Sequence, residues 1–292
     1  MFDHLVNAVG PVLLCVMVGC GLAKFRAPFD RKVIGSLVAN VGYPTLILSH
    51  LAGQHISLAE FLVFMFAAAC VVLCFLTIGF VFLKIVRLPP RAYLSPLSFG
   101  NVGNIGLSIS LLTFGPKGLS YAIAFLIVVM LGIFTIGVWL PQGRVSFGKL
   151  AREPVIYAIV LAIALLATET HLPPLIDHAF GILGGLAIPL MLLTLGYTLT
   201  TLELGDIWRG SLLAVFHLGL AIAVAFALVQ IFEFTGTARG VFILSCIMPS
   251  AVSTYLWVDR YDPQHAPAVA SLIFVSTVLS AVALPVVLSV WI

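Results

Sequence analysis

Ten apolar runs, most of them near twenty residues long, constrain this chain more than any other feature. A helix needs about 20 apolar residues to cross the hydrocarbon core of a bilayer. Reading for such runs between charges, prolines and glycines gives Leu5–Ala23, Val33–Leu51, Glu60–Leu83, Ala92–Thr113 and Leu119–Leu140 in the first half. The second half holds Pro154–Thr168, Leu175–Leu199, Ser211–Phe232, Arg239–Trp257 and Ala268–Ile292. The runs lack the strict alternation of a barrel wall, so the expectation is an all-α polytopic membrane protein of ten transmembrane helices. Composition agrees: 62% of the residues are hydrophobic, only 9% are charged, and the mean hydropathy is +1.20. A soluble domain carries about 25% charged residues.

The basic residues orient the set. Twelve of the 14 fall in odd-numbered connections: Lys24, Arg26, Arg31 and Lys32, then Lys84, Arg87 and Arg91, then Arg144, Lys149 and Arg152, then Arg209 and Arg260. Positive charge favours the cytoplasmic side, which sets both termini on the outer side of the inner membrane. Trp139, Trp208, Trp257 and Trp291 all lie at run ends, where indole prefers the interface. The formal charge of +3 is spread along these connections and is not a nucleic-acid footprint. Met1–Val9 carries no Lys or Arg, so the first run is expected to be a retained span rather than a cleaved signal. The five cysteines all lie in apolar runs without metal-site spacing, and no metal or cofactor is expected.

The punctuation of the two halves matches. Pro11 and Pro154 are 143 residues apart, Pro44 and Pro189 are 145 apart, and Gly103 and Pro249 are 146 apart. Five spans per half is an odd number, so a second half of the same build starts on the opposite side and the repeat is inverted. The expected domains are residues 1–140, a short cytoplasmic connection at 141–153, and residues 154–292.

Spans 4 and 9 make poor helix interiors. Span 4 contains Gly100-Asn101-Val102-Gly103-Asn104-Ile105-Gly106-Leu107-Ser108, and each glycine costs roughly 1 kcal/mol relative to alanine. Span 9 contains Met248-Pro249-Ser250-Ala251-Val252-Ser253-Thr254, where Pro249 lacks an amide hydrogen and disrupts the preceding turn. Unwound backbone at membrane depth survives only when it is buried in protein or lines a cavity. Two such breaks in corresponding spans predict crossing discontinuous helices whose N-termini aim at one point and suit an anion. Gly100, Pro44, Pro189 and Pro249 are the expected hinge or break positions.

At these residues the chain resembles the auxin efflux carrier family, including its bacterial malonate and malate permease-like members. The matching stretches are Gly100–Leu107 with Phe114-Gly115 and Gly118, then Ala187-Ile188-Pro189 with Leu195-Gly196, then Met248–Ala251 with Tyr261. The tail Ser276–Ser280 with Leu284-Pro285 is similar too. The resemblance implies two inverted five-helix bundles with crossing fourth and ninth helices, an elevator-like movement, small organic acids as substrates, and often a dimer. The crossover asparagine of the family corresponds to Asn101 and its second-half proline to Pro249. This chain carries Ser108 where many relatives have a proline.

The expected function is therefore a secondary transporter of small carboxylates. Asn101, Gly103, Asn104, Gly106 and Ser108 would meet Pro249, Ser250, Ser253 and Thr254 around the substrate. No Asp or Glu lies mid-span, so a carboxylate proton relay is not expected, and proton coupling is preferred to sodium. His217, six residues into span 8, is either a proton-coupling group or a hydrogen-bonded packing residue. His50, His55, His171 and His178 all fall on the expected outer side. The alternatives are a sodium-coupled symporter of bile-acid type, or a sensor or channel. An intramembrane enzyme is disfavoured, because HExxH, GxSxG and a mid-span acidic pair are absent.

Overall fold

The apolar runs fold as helices. The computed structural model describes residues 2–53, 55–143 and 152–291, and among these there is no β-strand beyond one isolated bridge. The expected connection at 141–153, with Arg144 and Lys149, lies mostly outside the described residues. The helices are α1 (Phe2–Lys24), α2 (Arg31–Ala52), α3 (Leu58–Ile85), α4 (Pro90–Ser98) and α5 (Val102–Gln142). They continue with α6 (Pro154–Ala167), α7 (Pro174–Thr201), α8 (Ile207–Ile231), α9 (Gly236–Cys246), α10 (Val252–Tyr261) and α11 (Ala266–Trp291). Among the described residues six stretches are long and apolar enough to cross a membrane: α2, α3, α5, α7, α8 and Pro263–Val287.

Local chemistry sets the ends. Asp30 caps α2 by accepting from the Lys32 and Val33 amides. Ser57 and Glu60 form a reciprocal capping box on α3, which satisfies two amides that the first turn leaves free. α4, α6 and α7 each begin with proline, whose missing N–H costs nothing in a first turn.

The boundary expected between spans 4 and 5, after Thr113 and before Leu119, is where the structure bends. α5 covers the later part of span 4 and all of span 5, 41 residues in two helical arms that would reach about 60 Å if straight, twice the hydrocarbon thickness. It does not run straight. Gly115 takes φ 65° and ψ −160°, a conformation closed to residues with a Cβ, and Pro116 follows it. The kink is tied to the start of α3, because the Tyr121 hydroxyl donates to Glu60 Oε1 at 2.9 Å and Lys117 lies 4.0 Å from the same oxygen.

Two packing groups emerge. In the first, α1 lies along the second part of α7, and α2 lies between α6 and the first part of α7. Backbones approach closely there: a Cβ on Gly196 would strike the Val16 carbonyl oxygen, and one on Gly19 the Leu193 carbonyl oxygen. Small residues drive such packing in lipid, where no hydrophobic force brings helices together. In the second group α3 packs on α4 and α5, α9 on α5, and α8 on α11 and α9. Phe64 on α3 joins it with ring contacts to Tyr121 on α5 and Phe242 on α9, at 4.9 and 5.6 Å.

Pro44 and Pro189 lie beside irregular helix in the first group. A five-residue π turn, Val38–Gly42, precedes Pro44, and the Thr45 hydroxyl donates to the Val41 carbonyl at 2.7 Å. α7 is interrupted at Leu186, three residues before Pro189. The two irregularities face each other: Gly42 lies against Ala187, and Gly184 against the backbone of Thr45 and Leu46.

Candidate functional site

The second group contains the other two breaks, and they meet. α4 ends at Ser98 and α5 starts at Val102; α9 ends at Cys246 and α10 starts at Val252. Between them Gly100 and Ser250 form an antiparallel bridge. The Asn101 amide donates to the Pro249 carbonyl at 2.6 Å, and the Ala251 amide donates to the Phe99 carbonyl at 2.8 Å. Each unwound segment thus satisfies backbone groups of the other, which removes several kcal/mol of penalty for exposing them in an apolar setting.

Side chains complete the account. The last carbonyls of a helix have no partner within it. Here the Ser250 hydroxyl donates to the Pro96 carbonyl at 2.5 Å, and the Ser280 hydroxyl donates to the Ile247 carbonyl at 3.0 Å. His217 takes the next two: its Nδ1 lies 2.8 Å from the Leu97 oxygen and its Nε2 lies 3.0 Å from the Met248 oxygen. Ser276 Oγ accepts from the Ser250 amide at 3.2 Å. The ends of α4 and α9 are therefore held together by α8 and α11.

At the same place α5 and α10 begin, so two helix N-termini, the positive ends of their dipoles, point into the crossover. Asn101 caps α5, its Oδ1 accepting from the Asn104 amide at 3.4 Å. Its Nδ2 is buried without a partner. The hydroxyls of Ser95 and Ser98 in the last turn of α4, and of Ser245 in the last turn of α9, are also buried and unpartnered. An unsatisfied buried polar group costs about 1–3 kcal/mol, and four of them flank these two breaks. They identify the crossover as the place where polar chemistry is kept in an apolar protein.

Not every expected ligand is free to donate. The Ser108 hydroxyl donates to the Asn104 carbonyl at 3.0 Å, the Thr254 hydroxyl to the Ala251 carbonyl at 2.6 Å, and Ser250 to Pro96. Their protons are committed to backbone. Ser253 is exposed, whereas Asn101, Asn104, Gly103 and Gly106 are buried together along the start of α5. Gly103 is required by a neighbour: a Cβ there would strike the hydroxyl of Tyr43, which projects from α2 in the first packing group. Tyr43, Ser276 and Ser280 were not singled out as site residues from the sequence. The two serines lie four apart on an apolar helix, the spacing of one helix face, and that was their signal.

The space beside this region is small. A cavity of about 40 Å³ lies between α1, α5, α7 and α11, lined by residues including Ile105, Ile109, Leu195 and Ser280. It has room for about one water molecule. On the expected outer side the fold gathers His50, His55, Asp177 and His178 around an open cleft of about 740 Å³ that Pro116 also lines. His171 is bound instead to the Ala52 carbonyl at 3.1 Å. Among the described residues no group of three or more His, Cys, Asp or Glu is arranged to hold a metal.

An all-helical membrane protein with two helix breaks hydrogen-bonded across each other, and four unpartnered buried polar groups beside them, has the build of a carrier. The chain belongs to the membrane transport protein family, that of the auxin efflux carriers, whose profile matches residues 4–146 and 139–288. It is also similar to an uncharacterized transporter of Methanocaldococcus jannaschii, with 25% identity over 92% of this chain and 93% of that protein.

Proposed function

We propose that this protein is a secondary active transporter of small organic anions, mono- or dicarboxylates such as malonate or malate, coupled to protons. The observation that carries the reading is the unpartnered Asn101 Nδ2, a buried amide donor at the crossed N-termini of α5 and α10. A carboxylate needs donors, and the helix ends supply amide groups and the positive end of the dipole. Gly103 and Gly106 leave the backbone open to close approach, Asn104 and the exposed Ser253 supply further polar groups, and Ser108, Ser250 and Thr254 hold the shape of the site. Alternating access proceeds by an elevator movement of the second packing group (α3–α5 and α8–α11) past the first (α1, α2, α6 and α7). The small 40 Å³ space and the large outer cleft support a state open toward the expected outer side.

In this reading residues 1–140 and 154–292 are inverted five-helix repeats, both termini face the periplasm, and the carrier works as a homodimer in the inner membrane. His217 is the proton-coupling group, and sodium has no role.

Uptake of labelled malonate and malate into proteoliposomes tests this, with a proton gradient, a sodium gradient or neither. Saturable uptake accelerated by the proton gradient is expected. Asn101→Ala is expected to abolish it at a stability cost of about 0.5–2 kcal/mol, because the change deletes the cap on the Asn104 amide, partly offset by removal of the unpaired Nδ2. Acceleration by sodium alone would favour the bile-acid-type alternative, and no uptake by folded protein would remove C3–C4 dicarboxylates as substrates.

A further inference from the structure

Hydrogen counting at His217 leads beyond a general role in coupling. The ring is 2% exposed, and both nitrogens lie within hydrogen-bond distance of carbonyl oxygens, which only accept. A neutral imidazole has one N–H, so it satisfies one of these carbonyls and turns a lone pair toward the other. An imidazolium donates to both. Leu97 is the penultimate residue of α4, and Met248 lies two residues past the end of α9, so both acceptors belong to the negative ends of helix dipoles. Burial opposes a charge there; two helix C-termini and two charge-assisted bonds favour it.

We propose that His217 is a doubly protonated latch that joins the C-terminal ends of α4 and α9, and that loss of its proton releases one of the two ends. The charge arrangement of the crossover then has two poles. Helix C-termini hold a cation at His217, and the N-termini of α5 and α10 face the carboxylate. Proton and anion are thereby bound by the same pair of broken helices, and a change at one pole moves the backbone that forms the other. The latch rests on the carrier reading for its link to transport, not for its existence.

The surroundings leave the imidazolium with no rival partner. α8 packs along α3, α4, α9 and α11. Their charged residues are Glu60 and Lys84 near the two ends of α3, Arg91 at the start of α4 and Arg239 in the first turn of α9. α11 carries no titratable side chain. The remaining titratable groups are Cys70 and Cys74 on α3, Tyr93 on α4 and Cys246 on α9, and on α8 itself Arg209 sits in the first turn. Burial and the two carbonyls define the environment of His217. Phe75 covers the ring edge-to-face at 5.4 Å.

Nitrogen NMR of the whole protein in lipid nanodiscs, with labelled histidine, reads the ring state directly. The His217 signal is assigned by the change that Phe75→Leu produces in it. Both ring nitrogens are expected to be protonated and hydrogen-bonded at neutral pH; one protonated and one bare nitrogen would overturn the latch. In proteoliposomes, malonate uptake should fall about tenfold per pH unit above the transition seen by NMR, the signature of one required proton. His217→Lys, whose ammonium keeps the charge and several donors, should flatten that profile. A Lys variant that folds and retains the wild-type profile would also count against the latch. An imidazolium with no carboxylate uptake would remove the carrier reading alone, and uptake with a neutral ring would remove the latch alone.

Discussion

Gly103 shows how one residue reports on two packing groups. Its missing side chain makes room for the Tyr43 hydroxyl, so a polar tip of the first group reaches the crossover. Gly103→Ala is expected to cost about 1–3 kcal/mol by overpacking and to depress uptake. Tyr43→Phe in the same chain removes the clashing hydroxyl and should recover most of that loss. Thermal unfolding of the two single variants and the double variant checks this, and additive effects would mean the two residues do not meet. Ser250 and Ser280 follow the same logic, each spending its proton on a carbonyl that a broken helix leaves without an amide.

At the scale of elements, α5 owes its shape to Gly115. Gly115→Ala forces a Cβ into a glycine-only conformation and is expected to cost about 1–3 kcal/mol. The test is unfolding in detergent together with protease sensitivity near Lys117. Unchanged stability would mean that the fold tolerates a different path between the two arms of α5. The reciprocal pairing of Phe99–Asn101 with Pro249–Ala251 is likewise a property of elements, since neither unwound segment has partners enough of its own.

At the scale of the whole molecule, the proposed elevator movement requires the two packing groups to slide. Ile105 on α5 and Leu195 on α7 line the same 40 Å³ cavity from opposite groups. In a chain with its five cysteines replaced, Ile105→Cys with Leu195→Cys should form a disulfide on mild oxidation. The bridge is expected to stop uptake, and reduction should restore it. Full transport by the bridged protein would rule out movement along this seam.

Much of this was legible in the sequence, for identifiable reasons. Length and hydropathy set the helices, because lipid leaves a backbone no other way to satisfy its hydrogen bonds. Gly100–Gly106 and Pro249 announced breaks, because glycine and proline act on the backbone locally and need no knowledge of neighbours. Gly115 was harder. The gap between two spans was legible there, and the structure breaks the helix at that gap, but the left-handed backbone that makes the bend depends on how the two arms pack.

What only the tertiary structure decided is the partnership between breaks. That Asn101 pairs with Pro249, that Ser250 and Ser280 cap carbonyls, and that His217 bridges Leu97 and Met248 across 120 and 31 residues depend on geometry between distant segments. A hydroxyl in a sequence reads the same whether it faces a substrate or is bound to a carbonyl. The sequence by itself determined that this protein lives in a membrane as helices and where those helices fail, because both follow from local backbone chemistry. Which polar groups are spent on holding the crossover together, and which remain free, was decided by packing, because each hydrogen bond needs its second partner to be brought to it.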